Sequence, residues 1–125
     1  MGRLIKASTI INAVSKACIE SACILDKIAY NSIKDSIDKE KNATARYVLE
    51  ELISNADIAE RENIPICQDT GMVICFVECG FKINLEEPIS DSINKGIKKG
   101  FEDGVLRKSI VNDPFERTNT NLQIY

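Results

Sequence analysis

The chain has 125 residues, 44% of them hydrophobic and 28% charged, with a formal net charge of −3 and no histidine. That composition is globular rather than disordered, and the length suffices for one modest domain with a real core. The acidic balance argues against a nucleic-acid binder, and without imidazole any metal site in this chain must rely on Cys, Asp, Glu or groups from outside.

The predicted elements follow in chain order. Met1-Gly2-Arg3-Leu4-Ile5-Lys6 lacks the apolar core of a signal peptide, and no apolar run approaches the roughly 20 residues that span a bilayer. With no export signal expected, the five cysteines read as reduced thiols in a cytoplasmic protein. Ser8 and Thr9 are placed to cap a first helix whose Ile11, Val14, Cys18, Ala22 and Leu25 share one stripe. Tyr30, Ile33 and Ile37 suggest a shorter second helix. Asn42 caps a third, with Ala45, Val48, Leu49, Leu52, Ile53, Ala56 and Ala59 at helical spacing, and Asn63 and Pro65 stop it.

Residues 72–79 are apolar on both alternating sides and predict a buried strand. Pro88 opens a fourth helix with Ile89, Ile93, Ile97 and Phe101 on one face, and Gly104 is placed to end it. Gly96, Gly100 and Gly104 line one side of that helix, which predicts close packing there. From Val105 onward the pattern reads as a polar loop. The fold class is therefore α+β, with N-terminal helices, a buried strand and a further helix, in a single domain over residues 1–125. One strand cannot make a sheet, so its partners are expected outside this sequence, in a larger α/β catalytic domain.

Cys18 and Cys23 lie about 140° apart around a helix and read as small core residues. Cys75 and Cys79 would point to one side of the predicted strand about 13 Å apart, too far to share one ion or a disulfide. Cys67 differs because it sits in a loop, in the run Cys67-Gln68-Asp69-Thr70-Gly71. Loops are where rigid scaffolds present chemistry. The alternative is a plain turn, with Asp69 capping local amides. Arg107 taken alone is a surface cation, and Lys95, Lys98 and Lys99 a solvated helix face.

Cys67-Gln68-Asp69-Thr70-Gly71, preceded by Pro65 and followed by the apolar stretch, resembles the signature of the iron–sulfur hydro-lyases, the class I fumarate hydratases and L-tartrate dehydratases. The helix from Ala45 to Glu62, with Leu49-Glu50-Glu51-Leu52 and Asn55-Ala56, is similar to the family segment before the cysteine. Asn94-Lys95-Gly96-Ile97-Lys98-Lys99-Gly100-Phe101, Leu106-Arg107-Lys108-Ser109-Ile110-Val111 and Asp113-Pro114-Phe115 through Arg117-Thr118-Asn119-Thr120 follow in family order.

The resemblance implies a 4Fe–4S cluster held by three cysteines, with one iron open as a Lewis acid, and reversible hydration of fumarate to malate. Carried over by position, Cys67 is one cluster ligand, Gln68 and Asp69 contact the substrate, Asp69 also as an acid–base partner, and Arg107 pairs with a carboxylate of the diacid. After Thr120 the family continues with a Gly-Asp-Asn-Thr-Pro type run, whereas this chain gives Asn121-Leu122-Gln123-Ile124-Tyr125. The resemblance thus implies the N-terminal part of an α region, shortened relative to the family. The other two ligands would come from a C-terminal α region, a β subunit or domain would be a partner, and the enzyme would be an oligomer. This chain alone would be inactive. The alternatives are a component of an L-tartrate dehydratase and a non-catalytic helical interaction module that keeps the family framework.

Overall fold

A computed structural model describes residues 2–117, so Thr118-Asn119-Thr120 and the five residues after them lie outside the described residues. The elements are β1 (Arg3–Ile5), α1 (Ala7–Cys23), α2 (Lys27–Ile37), α3 (Ala43–Glu62), β2 (Ile83–Leu85) and α4 (Ile89–Asp103). They group into two compact units. One comprises residues 1–19 and 68–125, the other residues 20–67, so the divisions fall inside α1 and after Cys67.

The first unit holds the sheet. β1 and β2 pair in parallel, with Arg3 opposite Ile83 and Ile5 opposite Leu85. Each strand is followed by a helix, α1 after one residue and α4 after three. The two helices meet along the glycine stripe. A Cβ on Gly96 would stand 2.7 Å from Val14 Cβ, one on Gly100 2.8 Å from the Ser15 carbonyl, and one on Gly104 2.9 Å from Ile19 Cγ1. Rising numbers on α4 meet rising numbers on α1, so the helices run parallel, like their strands. Ile97 and Phe101 are buried beside this seam, with Cys18 on α1 and Leu106 just beyond α4.

The α+β class stands, but the strands are not where the apolar run predicts. Residues 72–79 carry neither strand nor helix. Among the described residues they make no backbone hydrogen bond, and Ile74 and Phe76 are 71% and 95% exposed. A two-sided apolar run buries itself only when neighbours cover both faces, and here α4 flanks it at Ser90, Ile93 and Asn94 and leaves only Val73 half-buried. β1 and β2, three residues each, are too short for periodicity to reveal.

Helix ends follow local chemistry, with three departures. Asn42 caps α3, its side chain accepting from the Thr44 and Ala45 amides, and Asp26 caps α2 through the Ile28 and Ala29 amides. Ser8 and Thr9 do not cap α1 but lie within it. Its first amide, on Ala7, donates to Glu86 Oε2 at 2.7 Å, a carboxylate delivered by the end of β2. The loop after α4 is not wholly polar, since Leu106 is core. Gly104 ends α4 in right-handed geometry, and the left-handed residue is Val105, with φ 51°. The Leu106 amide then reaches the Phe101 carbonyl at 2.9 Å and the Val105 amide the Glu102 carbonyl at 3.3 Å, a Schellman closure.

By length and composition alone the stretch Ala7–Ile37 passes for a membrane span, contrary to the sequence expectation. The backbone breaks it between α1 and α2 at residues 24–26. Val14, Ser15 and Cys18 of α1 moreover pack against α4 as a core helix does.

The second unit is helical. α2 and α3 pack as a hairpin, antiparallel because Tyr30 near the start of α2 donates its hydroxyl to Asp57 Oδ1, late in α3, at 3.0 Å. That hydrogen bond raises the tyrosine pKa. The predicted α3 stripe is buried deepest at Ala56 and Ala59, while Val48 and Leu52 remain exposed.

Candidate active site

The approach to Cys67 is built by α3 and its exit. Asn63 takes left-handed geometry with φ 52°, which asparagine tolerates better than most residues. The Ile64 amide closes on the Ala59 carbonyl at 3.0 Å. Two further hydrogen bonds hold Ile66. Its amide donates to the Ala22 carbonyl at 2.9 Å, and its carbonyl accepts from Asn55 Nδ2 at 3.0 Å. The residue before Cys67 is thus fixed on both sides, while the Cys67 thiol itself is exposed. In the sequence Asn55 stands out only as part of a family-like segment. Its role in holding this loop was not legible, because nothing local links it to a residue eleven positions on.

In the other unit, Gln68 and Asp69 are exposed. Asp69 Oδ1 accepts the Gly71 amide at 3.2 Å, and Gly71 has φ 64°, the left-handed turn that a glycine supplies without strain. Asp69 thus caps a local amide, as the plain-turn reading predicts. Gln68 makes no side-chain hydrogen bond among the described residues. Thr70 Oγ1 donates to the Arg107 carbonyl at 2.6 Å. Arg107 follows the Schellman closure of α4 directly, and among the described residues no carboxylate pairs with its exposed guanidinium. The structure thus brings the Asp69–Thr70–Gly71 turn and Arg107 together across 37 positions.

Two ion pairs involve lysines of α4. Glu87 accepts from Lys95 Nζ at 2.6 Å and from the buried Ser92 hydroxyl at 2.6 Å. Lys95 first and Ser92 second lower the Glu87 pKa, and Glu87 raises that of Lys95. Lys99 pairs with Asp103. The solvated lysine face is thus partly ion-paired.

None of the five cysteines is in a disulfide; Cys18 and Cys23 are buried and Cys67, Cys75 and Cys79 exposed. The core reading of Cys18 and Cys23 holds. Burial chiefly, and the Cys75 thiol secondarily, pushes the Cys18 pKa up, and burial does the same to Cys23. The strand spacing that separated Cys75 from Cys79 does not apply to a segment without strand geometry. Even so, no group of three or more Cys, Asp or Glu side chains among the described residues could hold a metal ion.

Residues 11–124 match the model of the family described as fumarate hydratase (fumerase). A curated relative from Methanocaldococcus jannaschii, "Putative L(+)-tartrate dehydratase subunit alpha", is 35% identical over 102 residues, which are 80% of this chain and 35% of the relative. The chain therefore spans about a third of that relative's length.

Proposed function

This chain belongs to the fumarate hydratase (fumerase) family, and from that premise we propose that it forms the part of a hydro-lyase that offers Cys67 to a 4Fe–4S cluster and Gln68, Asp69 and Arg107 to a small dicarboxylic acid. The observation that carries the reading is the hydrogen bond from Thr70 to Arg107, which keeps a carboxylate turn and a guanidinium in one neighbourhood.

The donor chemistry fits Cys67 as one ligand of a shared site. Cys67 is an exposed thiol on a held loop, and the described residues assemble no metal site of their own. On this reading the remaining thiolates come from outside residues 1–125, which alone are inactive. When bound, such a cluster supplies Lewis-acid activation of the substrate hydroxyl. Arg107 binds a substrate carboxylate with its planar fork, which also fixes the diacid's orientation. Gln68 donates its amide N–H to a carboxylate or hydroxyl oxygen. Asp69 contacts the substrate or exchanges a proton with it, its pose set by the Gly71 amide on Oδ1.

Fumarate hydration is the primary reading, from the family description. L-tartrate dehydration is the second, favoured by the name of the Methanocaldococcus jannaschii relative. That name, a subunit alpha, also supports a further subunit as partner in a hetero-oligomer. Five cysteines outside disulfides suit a reducing, cytoplasmic setting.

The test is anaerobic cluster reconstitution of the assembled enzyme, with iron counting, visible absorption and assays on fumarate and L-tartrate. Cys67→Ala is expected to abolish cluster iron and absorption. Arg107→Ala is expected to keep the cluster and raise KM. Full iron content in Cys67→Ala overturns the ligand assignment. Stable cluster and turnover in the isolated chain overturn the single-ligand reading, and a complete assembly without turnover favours a non-catalytic module.

A further inference from the structure

Asn55 is an exposed residue in the interior of α3. Asparagine forms helices poorly, because its short side chain competes for nearby backbone groups. Here that side chain reaches off the helix, and Nδ2 donates to the Ile66 carbonyl at 3.0 Å.

That carbonyl belongs to the peptide unit that carries the Cys67 nitrogen. The six atoms from Ile66 Cα to Cys67 Cα lie in one plane, so orienting the carbonyl orients the start of Cys67. The preceding peptide unit is pinned as well. The Ile66 amide donates at 2.9 Å to the carbonyl of Ala22, in the last turn of α1, where helix carbonyls lack partners of their own. Two consecutive peptide planes are thus held, one by α3 and one by α1. Pro65, one residue earlier, has its φ fixed by its ring.

The support behind Asn55 is firm. Ala56 and Ala59 are buried on the same helix, and Asn42 and Asn63 cap its two ends. The amide also suits the task, since it offers N–H donors to a carbonyl, whereas a carboxylate of the same shape only accepts. Groups that orient a ligand without touching the metal commonly decide how well the metal is held.

We propose that Asn55 is a positioning residue for Cys67. Acting through the Ile66 carbonyl, it presets the backbone that presents the thiol, so that a 4Fe–4S cluster is taken up without reordering the loop and is released slowly. This inference rests on the reading of Cys67 as a cluster ligand.

The test uses Asn55→Asp, which keeps the shape and loses the donor, and Asn55→Leu, which loses the donor without adding a charge. Tyr30→Phe, which removes the α2–α3 hydrogen bond to Asp57, controls for stability alone. In the cluster-free chain, hydrogen exchange of the Ile66 amide by NMR should be about tenfold faster in both Asn55 variants, with unchanged helix content by circular dichroism. In the assembled and reconstituted enzyme, anaerobic iron release to a chelator should be about tenfold faster in both. The electron paramagnetic resonance spectrum of the reduced cluster should shift with it. Asn55→Gln, which keeps the donor, should recover part of the retention. Tyr30→Phe should release iron at the wild-type rate despite a lower denaturation midpoint. Unchanged Ile66 exchange, or iron release in both Asn55 variants no faster than in Tyr30→Phe, would overturn the proposal. Full iron content in Cys67→Ala overturns the ligand reading and the proposal with it. Lost iron in Cys67→Ala beside wild-type retention in both Asn55 variants overturns the positioning role alone.

Discussion

The Thr70 hydroxyl donates to the Arg107 main-chain carbonyl at 2.6 Å, joining two loops that lie 37 positions apart in sequence. The contact uses the side chain of one residue and only the backbone of the other. It therefore constrains where Arg107 stands without occupying its guanidinium.

Thr70→Val keeps the shape and removes the donor. It is expected to cost about 1 kcal/mol in urea unfolding and to speed amide exchange in the Asp69–Gly71 turn. In the assembled enzyme it should raise KM more than it lowers kcat, since the hydroxyl acts on position and not on the reacting atoms. Unchanged exchange in the turn would refute the tether.

Thiol exposure predicts a labelling order. In the folded chain a maleimide should modify Cys67, Cys75 and Cys79 and spare Cys18 and Cys23 until denaturant is added. The raised pKa values of the two buried thiols reinforce that protection, because less thiolate forms at a given pH. Peptide mass mapping counts the modified sites, and early modification of Cys23 would contradict the packing described.

The Glu87–Lys95 pair predicts a pH dependence. The Glu87 pKa is lowered on folding, so its stabilisation is present above the unfolded value of about 4.3 and is lost as pH falls through the lower folded value. The Lys95 pKa is raised, so its share is complete below the unfolded value of about 10.4 and is lost as pH rises through the higher folded value. The Tm difference between wild type and Glu87→Gln should be widest between these limits and should shrink in acid. A difference that does not vary with pH would show that the carboxylate charge contributes nothing.

Val105 holds left-handed geometry with a β-branched side chain, a conformation that costs roughly 1–2 kcal/mol and that glycine adopts freely. Val105→Gly removes that strain and loses little packing, as the side chain is exposed. It is expected to raise stability by about 1 kcal/mol, read as a higher denaturation midpoint. A lower midpoint would mean that the closure of α4 depends on the valine.

The helices were legible because their signals are local. Asn42 and Asn63 bracket α3 as capping chemistry predicts, and the apolar faces of α1 and α4 are the ones that pack. The glycines of α4 were legible as a packing surface, though Gly104 shows a conflict that one sequence hides. Position 105 requires the glycine's backbone freedom, but position 104 requires its small size against Ile19, and size prevails. What could not be read depends on distant partners, as with Glu86 capping α1, Asn55 bracing Ile66 and Thr70 reaching Arg107. The run 72–79 misled for the same reason. Its pattern describes a strand covered on both faces, and the described residues do not cover both.

Gly96, Gly100 and Gly104 recur every fourth residue, about one helical turn. A comb with that repeat fits its neighbour almost as well after sliding by one tooth, so the helix contact alone does not choose a register. The choice falls to the other end of the unit. There β1 pairs with β2, a single residue joins β1 to α1, and Glu86 grips the first amide of α1. Two three-residue strands that bury almost nothing thus act as the index mark of the parallel helices. Loosening them, for instance by Glu86→Ala, should multiply helix registers before it melts either helix.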